Sequence, residues 1–448
     1  MSPPNIAGRT HRRVRFLIPM LCGMLLPLCA AAQLSAAQSA MVQFVHDHRG
    51  QQIQLLEQLV NLNSGTSNAD GVRQVGERLK PQFEALGFDV QWHDLPENMR
   101  HAGSLVATLG AHPGKRMLLI GHLDTVFSRD SPFQRFTVSE DGRKASGPGV
   151  IDDKGGLVTI LFALQALHQT GGLKNANLTV VLVGDEELAA QPTEVSRKAL
   201  ADAAKNSDMA LGFEFGLSPD ELVVGRRGLS EWLLRSTGAA QHSSTIFQPA
   251  VGFGAAFEVS RVLNELRGEL SRTPGLTINP GLLLGGQKVR EEEGGERGVA
   301  SGKKTIVAGQ ALVRGDLRFS SDDQRDSAEQ AMLAISSHAL PGTASSVEFR
   351  RIMPVMAATS ANQQLLAEYS AVSENLGGPP LRAIAPETRG GADISYIAQY
   401  VAASLDGLGP WGAGAHGEQE TLDLDSLEVA TTRAALFLAR QISGGATK

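Results

Sequence analysis

Two imidazoles and three carboxylates, His122, Asp152, Glu187, Glu214 and His416, are scattered along the chain in places that favour metal chemistry. Nitrogen and oxygen donors of this kind suit zinc. His122 stands where the aliphatic run of LLIGHLDTV ends, and Glu187 follows the run of TVVLVGDEE. Glu214 lies in LGFEFG, Asp152 in GPGVIDDKGG, and His416 in the late Gly-rich segment GPWGAGAHGEQE. Two ions held close together need a shared carboxylate, with the remaining donors divided between them. Asp124, two residues beyond His122, can point the same way from a strand and take the remaining ring N–H, fixing the tautomer. Each piece alone has a plainer reading. H-x-D is often a turn, paired acids often start a solvated helix, and GPGVIDDKGG resembles a phosphate loop. That loop lacks both GxGxxG spacing and the Walker lysine–hydroxyl pair. The weight lies in the coincidence: four separate strand ends each carry a metal-competent side chain.

The elements that must position these groups alternate between strand and helix. Apolar spacing predicts helices over 41–62, 70–86 and 155–171. Aliphatic runs predict strands over 104–110, 116–123, 177–187 and 211–216. This pattern is that of an α/β domain whose largely parallel sheet lies between helices, with ligands meeting the carboxyl ends of strands. After about residue 222 the character changes. LSEWLLRSTG alternates as a half-buried strand does, a long amphipathic helix occupies 249–271, and three more strand-like stretches follow up to about 354. We expect a catalytic domain formed by 41–221 and 355–448, interrupted at 222–354 by a smaller α+β domain with an antiparallel sheet. The acidic stretch EEEGGER (291–297) reads as a solvated turn.

Bulk properties are those of a soluble globular chain. It has 448 residues, 42% hydrophobic and 20% charged, and a formal net charge of −6, room for one large domain or two ordinary ones. The N-terminus differs. Arg9, Arg12, Arg13 and Arg15 precede the apolar run FLIPMLCGMLLPLC, followed by small residues, the layout of a secretory signal peptide over residues 1–32, with cleavage at Ala32 or Ala37. We therefore expect an exported, periplasmic or secreted protein. Both cysteines, Cys22 and Cys29, lie in that segment, so the mature chain has no disulfide and any metal site uses His and carboxylates. Losing four arginines and no acid takes the formal charge from −6 to about −10, which disfavours nucleic acid and anionic membrane as partners.

Taken in order, GHLDTV, GPGVIDDKGG, GDEE, FEFG and GPWGAGAH resemble the two-zinc metallopeptidases that include glutamate carboxypeptidases, aminoacylases and acetylornithine or succinyl-diaminopimelate deacylases. The resemblance covers nearly the whole mature chain. It implies that Asp152 bridges two zinc ions, that His122 and Glu214 complete one, and that Glu187 and His416 complete the other. It further implies that Glu186 is the general base and that the Asp152–Asp153 peptide bond is cis. The insert resembles the lid that carries the family's dimer interface. His242 matches a histidine that reaches across the dimer to stabilise the oxyanion, and Arg318, in GDLRF, an arginine that clamps a substrate carboxylate. Arg389, in TRGGADIS, is a further candidate for that carboxylate.

Two features depart from the pattern. The carboxypeptidases place a substrate-holding asparagine where this chain has Thr305, and LAAQPTEVS follows the paired acids in place of small residues. Both bear on substrate rather than on metal. The expected protein is an exported, homodimeric di-zinc exopeptidase releasing a glutamate-like C-terminal amino acid from peptides or N-acyl conjugates. The alternatives are an N-acyl amino acid deacylase on the same scaffold and a catalytically silent peptide-binding homologue.

Overall fold

The computed structural model describes residues 34–110, 112 and 114–444; the signal-like segment lies outside the described residues. Three helices come first among the described residues, α1 Ala36–Asp47, α2 Arg49–Val60 and α3 Ala69–Ala85. The single helix expected over 41–62 is thus two. His48 stacks its ring on Phe44 with centroids 3.9 Å apart, and its Nδ1 meets the Phe44 carbonyl at 2.8 Å. A side chain that satisfies a terminal carbonyl ends the first helix there. Helix α3 starts where Asn68 accepts the N–H of Gly71, as an N-cap should.

The main sheet is built from β1 Asp89–His93, β2 Ser104–Leu109, β3 Arg116–His122, β4 Asn177–Val183 and β5 Met209–Gly212. In the later stretch come four long strands, β6 Gly228–Gly238, β7 Thr277–Gly286, β8 Gln310–Phe319 and β9 Thr343–Met353. A sixth strand of the main sheet, β10 Ala403–Leu405, follows them. The main sheet runs β1-β2-β4-β3-β5-β10. Neighbours among β4, β3, β5 and β10 are parallel, whereas β2 is antiparallel to both β1 and β4. Strands β3 and β4 are nearly continuous aliphatic runs because both of their faces are covered. On one face lies the helix Lys154–Gln169, apolar on almost every side and packed against α1, α2 and the C-terminal helix Leu424–Gly444. The opposite face has its own cluster, which includes Leu118, Ile120, Val181, Leu200 and Ile397.

The four later strands form an antiparallel sheet ordered β7-β8-β6-β9. Its core, with Trp232, Val259, Leu266, Val313 and Phe319, is separate from that of the main sheet. Helices Gly254–Leu270 and Asp322–Ser337 contribute to it. EEEGGER is less solvated than expected. Its ends belong to the hairpin Lys288–Glu292 and Arg297–Ser301, and Glu291 accepts from Arg235 and Arg314. The chain leaves and re-enters the main-sheet region beside Arg226, where Val223 bridges Asp406 and Arg226 bridges Met356. Here the buried Arg226 donates Nε to buried Asp406 at 2.7 Å and Nη1 to the Gly390 carbonyl at 2.7 Å. One guanidinium thereby ties together chain segments on both sides of the insertion. Among the described residues no helix is long and apolar enough to cross a membrane.

Candidate metal centre

His122 is the last residue of β3, where the strand reaches the carboxyl edge of the sheet. Asp152 ends the loop before the helix at Lys154, and the Asp152–Asp153 bond is cis, as the resemblance implies. Glu186 and Glu187 stand past the end of β4, which stops at Val183 rather than continuing into the acids. Glu214 is two residues beyond β5, so the strand expected over 211–216 is shorter and the carboxylate belongs to the loop. Gly212 and Gly409 allow close packing here, because a side chain at either would collide with Asp406 or with the Phe213 carbonyl. His416 sits in left-handed backbone, φ +65°, between two short strands.

All five expected ligands converge, as two groups that share Asp152. Donor atoms of His122, Asp152 and Glu214 lie within 4.8 Å of one another, and so do those of Asp152, Glu187 and His416. Asp152 divides its oxygens between the groups: Oδ1 is 3.0 Å from His122 Nε2, and Oδ2 is 2.9 Å from His416 Nε2. Glu214 Oε1 is 3.5 Å from His122 Nε2, and Glu187 Oε2 is 3.2 Å from His416 Nε2. Two donors on one tetrahedral zinc, each with a bond of about 2.0–2.1 Å, stand about 3.3 Å apart. The observed separations fit that spacing.

Electrostatics favour a cation as well. Burial opposes charge on His122, yet contacts with Asp124 and Asp152 raise its pKa well above the usual imidazole value. His416 is pushed up to about 11 by its hydrogen bonds with Asp152 and Glu187. Asp152 is held below the ordinary aspartate range: burial would raise it, and the two imidazoles outweigh burial. Burial and the neighbouring Asp152 push Glu214 up to about 7. Glu187 Oε1 is buried without a hydrogen-bond partner among the described residues. A site that crowds carboxylates enough to hold protons on two imidazoles offers a divalent ion the same attraction.

Asp124 does more than expected. His122 Nδ1 lies 3.1 Å from the Asp124 carbonyl oxygen and 3.3 Å from its carboxylate Oδ1, which leaves Nε2 to face Asp152 and Glu214. The same carboxylate accepts the N–H of Glu186 at 3.0 Å and of Glu187 at 3.1 Å, together with the Thr66 hydroxyl at 2.7 Å. It therefore orients three of the groups of interest at once. Glu186 belongs to neither donor group. Its carboxyl lines a small cavity with His122, Glu214 and Asp393. Burial and then the charge of Glu214 push its pKa well above the ordinary glutamate value.

The sequence reading missed the supports behind this edge. Arg197 donates Nη1 to Asp185 Oδ1 at 2.7 Å, Nη2 to the Asp185 carbonyl at 2.9 Å, and Nε to Asp393 Oδ1 at 2.6 Å. That clamp holds the residue just before the paired glutamates. The Asp153 carboxylate accepts the N–H of His122 at 3.2 Å. The doubled aspartate was a visible signal for Asp153, whereas nothing local marked Arg197.

The expected substrate residues separate into two sets. Arg389 is buried beside the centre, with Nη2 3.4 Å from Glu214 Oε2 and its guanidinium 4.0 Å from the Phe215 ring centroid. Its Nη1 is buried with no partner among the described residues. His242, Thr305 and Arg318 lie on the later stretch with the antiparallel sheet, and among the described residues none of their hydrogen bonds runs to the expected ligands. His242 contacts Ser244, the Thr305 carbonyl accepts the N–H of Ser243, and Arg318 donates to Asp316.

A mixed sheet with metal-competent side chains at its carboxyl edge, together with a separate antiparallel sheet, is an arrangement suited to metal-assisted hydrolysis. The chain belongs to peptidase family M20/M25/M40, whose model matches residues 118–440. Carboxypeptidase G2 of Pseudomonas sp. (strain RS-16) is 26% identical over 396 residues, covering 87% of this chain and 89% of that protein. Among solved structures, the aminopeptidase PepT of Bacillus cereus aligns with a TM-score of 0.68 at 17% identity, over 88% of this chain and 99% of that one. The Bacillus subtilis YxeP protein, described as a dinuclear metal-binding peptidase, aligns with a TM-score of 0.61 at 13% identity, over 89% and 99%.

Proposed function

We propose that the protein is an exported zinc exopeptidase that releases a C-terminal amino acid, glutamate or a relative, from peptides or N-acyl conjugates. One observation carries the two-ion reading: Asp152 directs each of its oxygens at a different histidine. His122 and Glu214 would hold one zinc with Asp152, and Glu187 and His416 the other. When bound, the pair supplies Lewis acidity, polarising the scissile carbonyl and acidifying a water toward neutral pH. Glu186 is close to both groups and belongs to neither. Its carboxyl, lining the same small cavity as His122 and Glu214, is placed for a general base that takes a proton from water and returns it to the departing amide nitrogen. Asp124 keeps His122 in the required tautomer and fixes the backbone of Glu186.

Arg389 is the group we assign to the substrate carboxylate, because a buried guanidinium with a free N–H has unused capacity for an anion. Arg389→Ala is expected to raise KM about 10- to 100-fold, the worth of one charge-assisted hydrogen bond. Steady-state kinetics check this, with bound zinc measured alongside; loss of zinc would mean that the residue serves Glu214 instead.

A deacylase reading has support of its own: acetylornithine deacetylase of Salmonella arizonae is 32% identical over 176 residues, 39% of this chain. Release of free amino acid from matched C-terminal glutamyl, aspartyl and aliphatic peptides and N-acyl amino acids separates the two. We expect hydrolysis of glutamyl conjugates, abolished by a chelator and restored by zinc. Preference for short N-acyl groups regardless of the amino acid would favour deacylation. Zinc near two per chain with no amide cleaved would favour a silent binding protein.

Export and dimerisation belong to the same proposal. The basic-then-apolar N-terminus supports the first, and the exposed Phe247 and Phe257 on the insertion that carries His242 support the second. The intact mass should show loss of the first 32 to 37 residues, and sedimentation should give twice the chain mass. A fully active monomer would remove any role for His242 across subunits.

A further inference from the structure

Glu420 lies four residues past His416 and is completely buried, 0% exposed, and among the described residues its carboxylate has no hydrogen bond to an expected ligand side chain. Its oxygens accept three backbone N–H groups from the loop that presents Asp152. Oε1 accepts from Ile151 at 2.9 Å and from Asp152 itself at 3.2 Å, and Oε2 accepts from Gly149 at 3.2 Å. The carbonyl of Glu420 accepts the Ser146 hydroxyl at 2.8 Å, and the next residue, Thr421, pairs with Ser146 in a short antiparallel sheet. On its other side, the Glu420 N–H donates to the Gly417 carbonyl and the Gly417 N–H to the Gly414 carbonyl, two consecutive turns of which the earlier in the chain contains His416. Beyond the strand pairing at Thr421, this carboxylate is therefore what fastens the loop holding His416 to the residues immediately before and at Asp152, two segments far apart in the chain.

A buried carboxylate is costly unless its acceptor capacity is used. Here it is used on main-chain N–H groups adjoining one ligand, from a position adjoining another. Asp152 and His416 are two of the three donors in the second group, whereas His122 and Glu214 of the first group are anchored on β3 and just beyond β5. Displacing the tether moves two donors of the second group but only the shared Asp152 of the first, so it should disturb one ion more than the other. Resting on the two-cation reading above, we infer that Glu420 is a positioning residue for the Asp152–Glu187–His416 site, setting the distance between its bridging carboxylate and its imidazole. It touches neither substrate nor ion, and acts through the two loops.

The test uses the full mature protein, with Zn2+ as the probe, in equilibrium dialysis against buffered free zinc. In the wild type two ions should bind. In Glu420→Ala one should bind with near wild-type affinity, while the other weakens about 10- to 100-fold, the usual effect of losing a group that orients a ligand. At limiting zinc kcat should fall with KM nearly unchanged, and excess zinc should restore it. Glu420→Gln fills the same space and keeps one oxygen for Ile151 and Asp152, but turns an amide donor toward the Gly149 N–H. It should show the same selective weakening to a smaller extent, in a protein that melts close to the wild type. Unchanged zinc affinity in both variants overturns the inference. So does equal weakening of both ions in step with a lowered melting temperature, which would mark a general structural role. A wild-type protein that binds fewer than two ions defeats the two-cation reading itself, and this inference with it.

Discussion

Glu186→Gln is expected to lower kcat roughly 100- to 10,000-fold, the usual contribution of a positioned general base, while two zinc ions remain bound. That range corresponds to about 3–5 kcal/mol of transition-state stabilisation. The separation of activity from metal content follows from geometry. Glu186 contributes to neither donor group, and its backbone is held independently by Asp124 at 3.0 Å. Glutamine keeps the size of the side chain and loses its capacity to take a proton. KM should change little, since the proposed substrate anchor Arg389 contacts Glu214 rather than Glu186. Metal analysis beside steady-state kinetics checks this. Turnover within about tenfold of wild type would remove the base role, and loss of zinc would make Glu186 a ligand.

Asp152→Asn should remove both binding and turnover. Each oxygen of Asp152 serves a different group, so one substitution weakens two sites, whereas replacing Glu187, His416 or Glu214 touches one. Asparagine preserves the shape and supplies one carbonyl oxygen, but its NH2 would face an imidazole, and the negative charge that both cations share is gone. Bound zinc should fall below one per chain. Paired metals supply several kcal/mol of charge stabilisation, so activity should drop on the order of a thousandfold or more. Retention of two tightly bound ions in Asp152→Asn would end the shared-ligand reading, whatever the remaining activity. Glu214→Gln provides the contrast, and one ion should survive there.

The difference between these substitutions and Glu420→Ala reflects how each residue became visible. His122, Glu187 and Glu214 announce themselves locally, because a polar, metal-competent side chain directly after an aliphatic run is costly unless it has a partner. Strands β3 and β4 are long apolar runs covered on both faces, so their exit points could be read to within a few residues. The errors fell at element ends. The β5 strand ends at Gly212, before Glu214, and the first helix divides at His48, whose ring meets the Phe44 carbonyl.

By itself, the sequence determined the alternation of strand and helix, the change of character after residue 222, and the five donors with the acid beside them. These follow from side-chain type and short-range periodicity, except the part given to the acid, which the family resemblance implied. Tertiary structure alone decided that the five side chains converge as two groups sharing Asp152, and that Asp124 holds the backbone of both glutamates as well as the ring of His122. It also decided that Arg197 clamps Asp185, that Arg389 rather than Arg318 lies beside the centre within one chain, and that Glu420 fastens two loops together. Each of these is a contact between a side chain and groups remote in the chain, often main-chain N–H, which every residue carries. No local pattern can therefore record it.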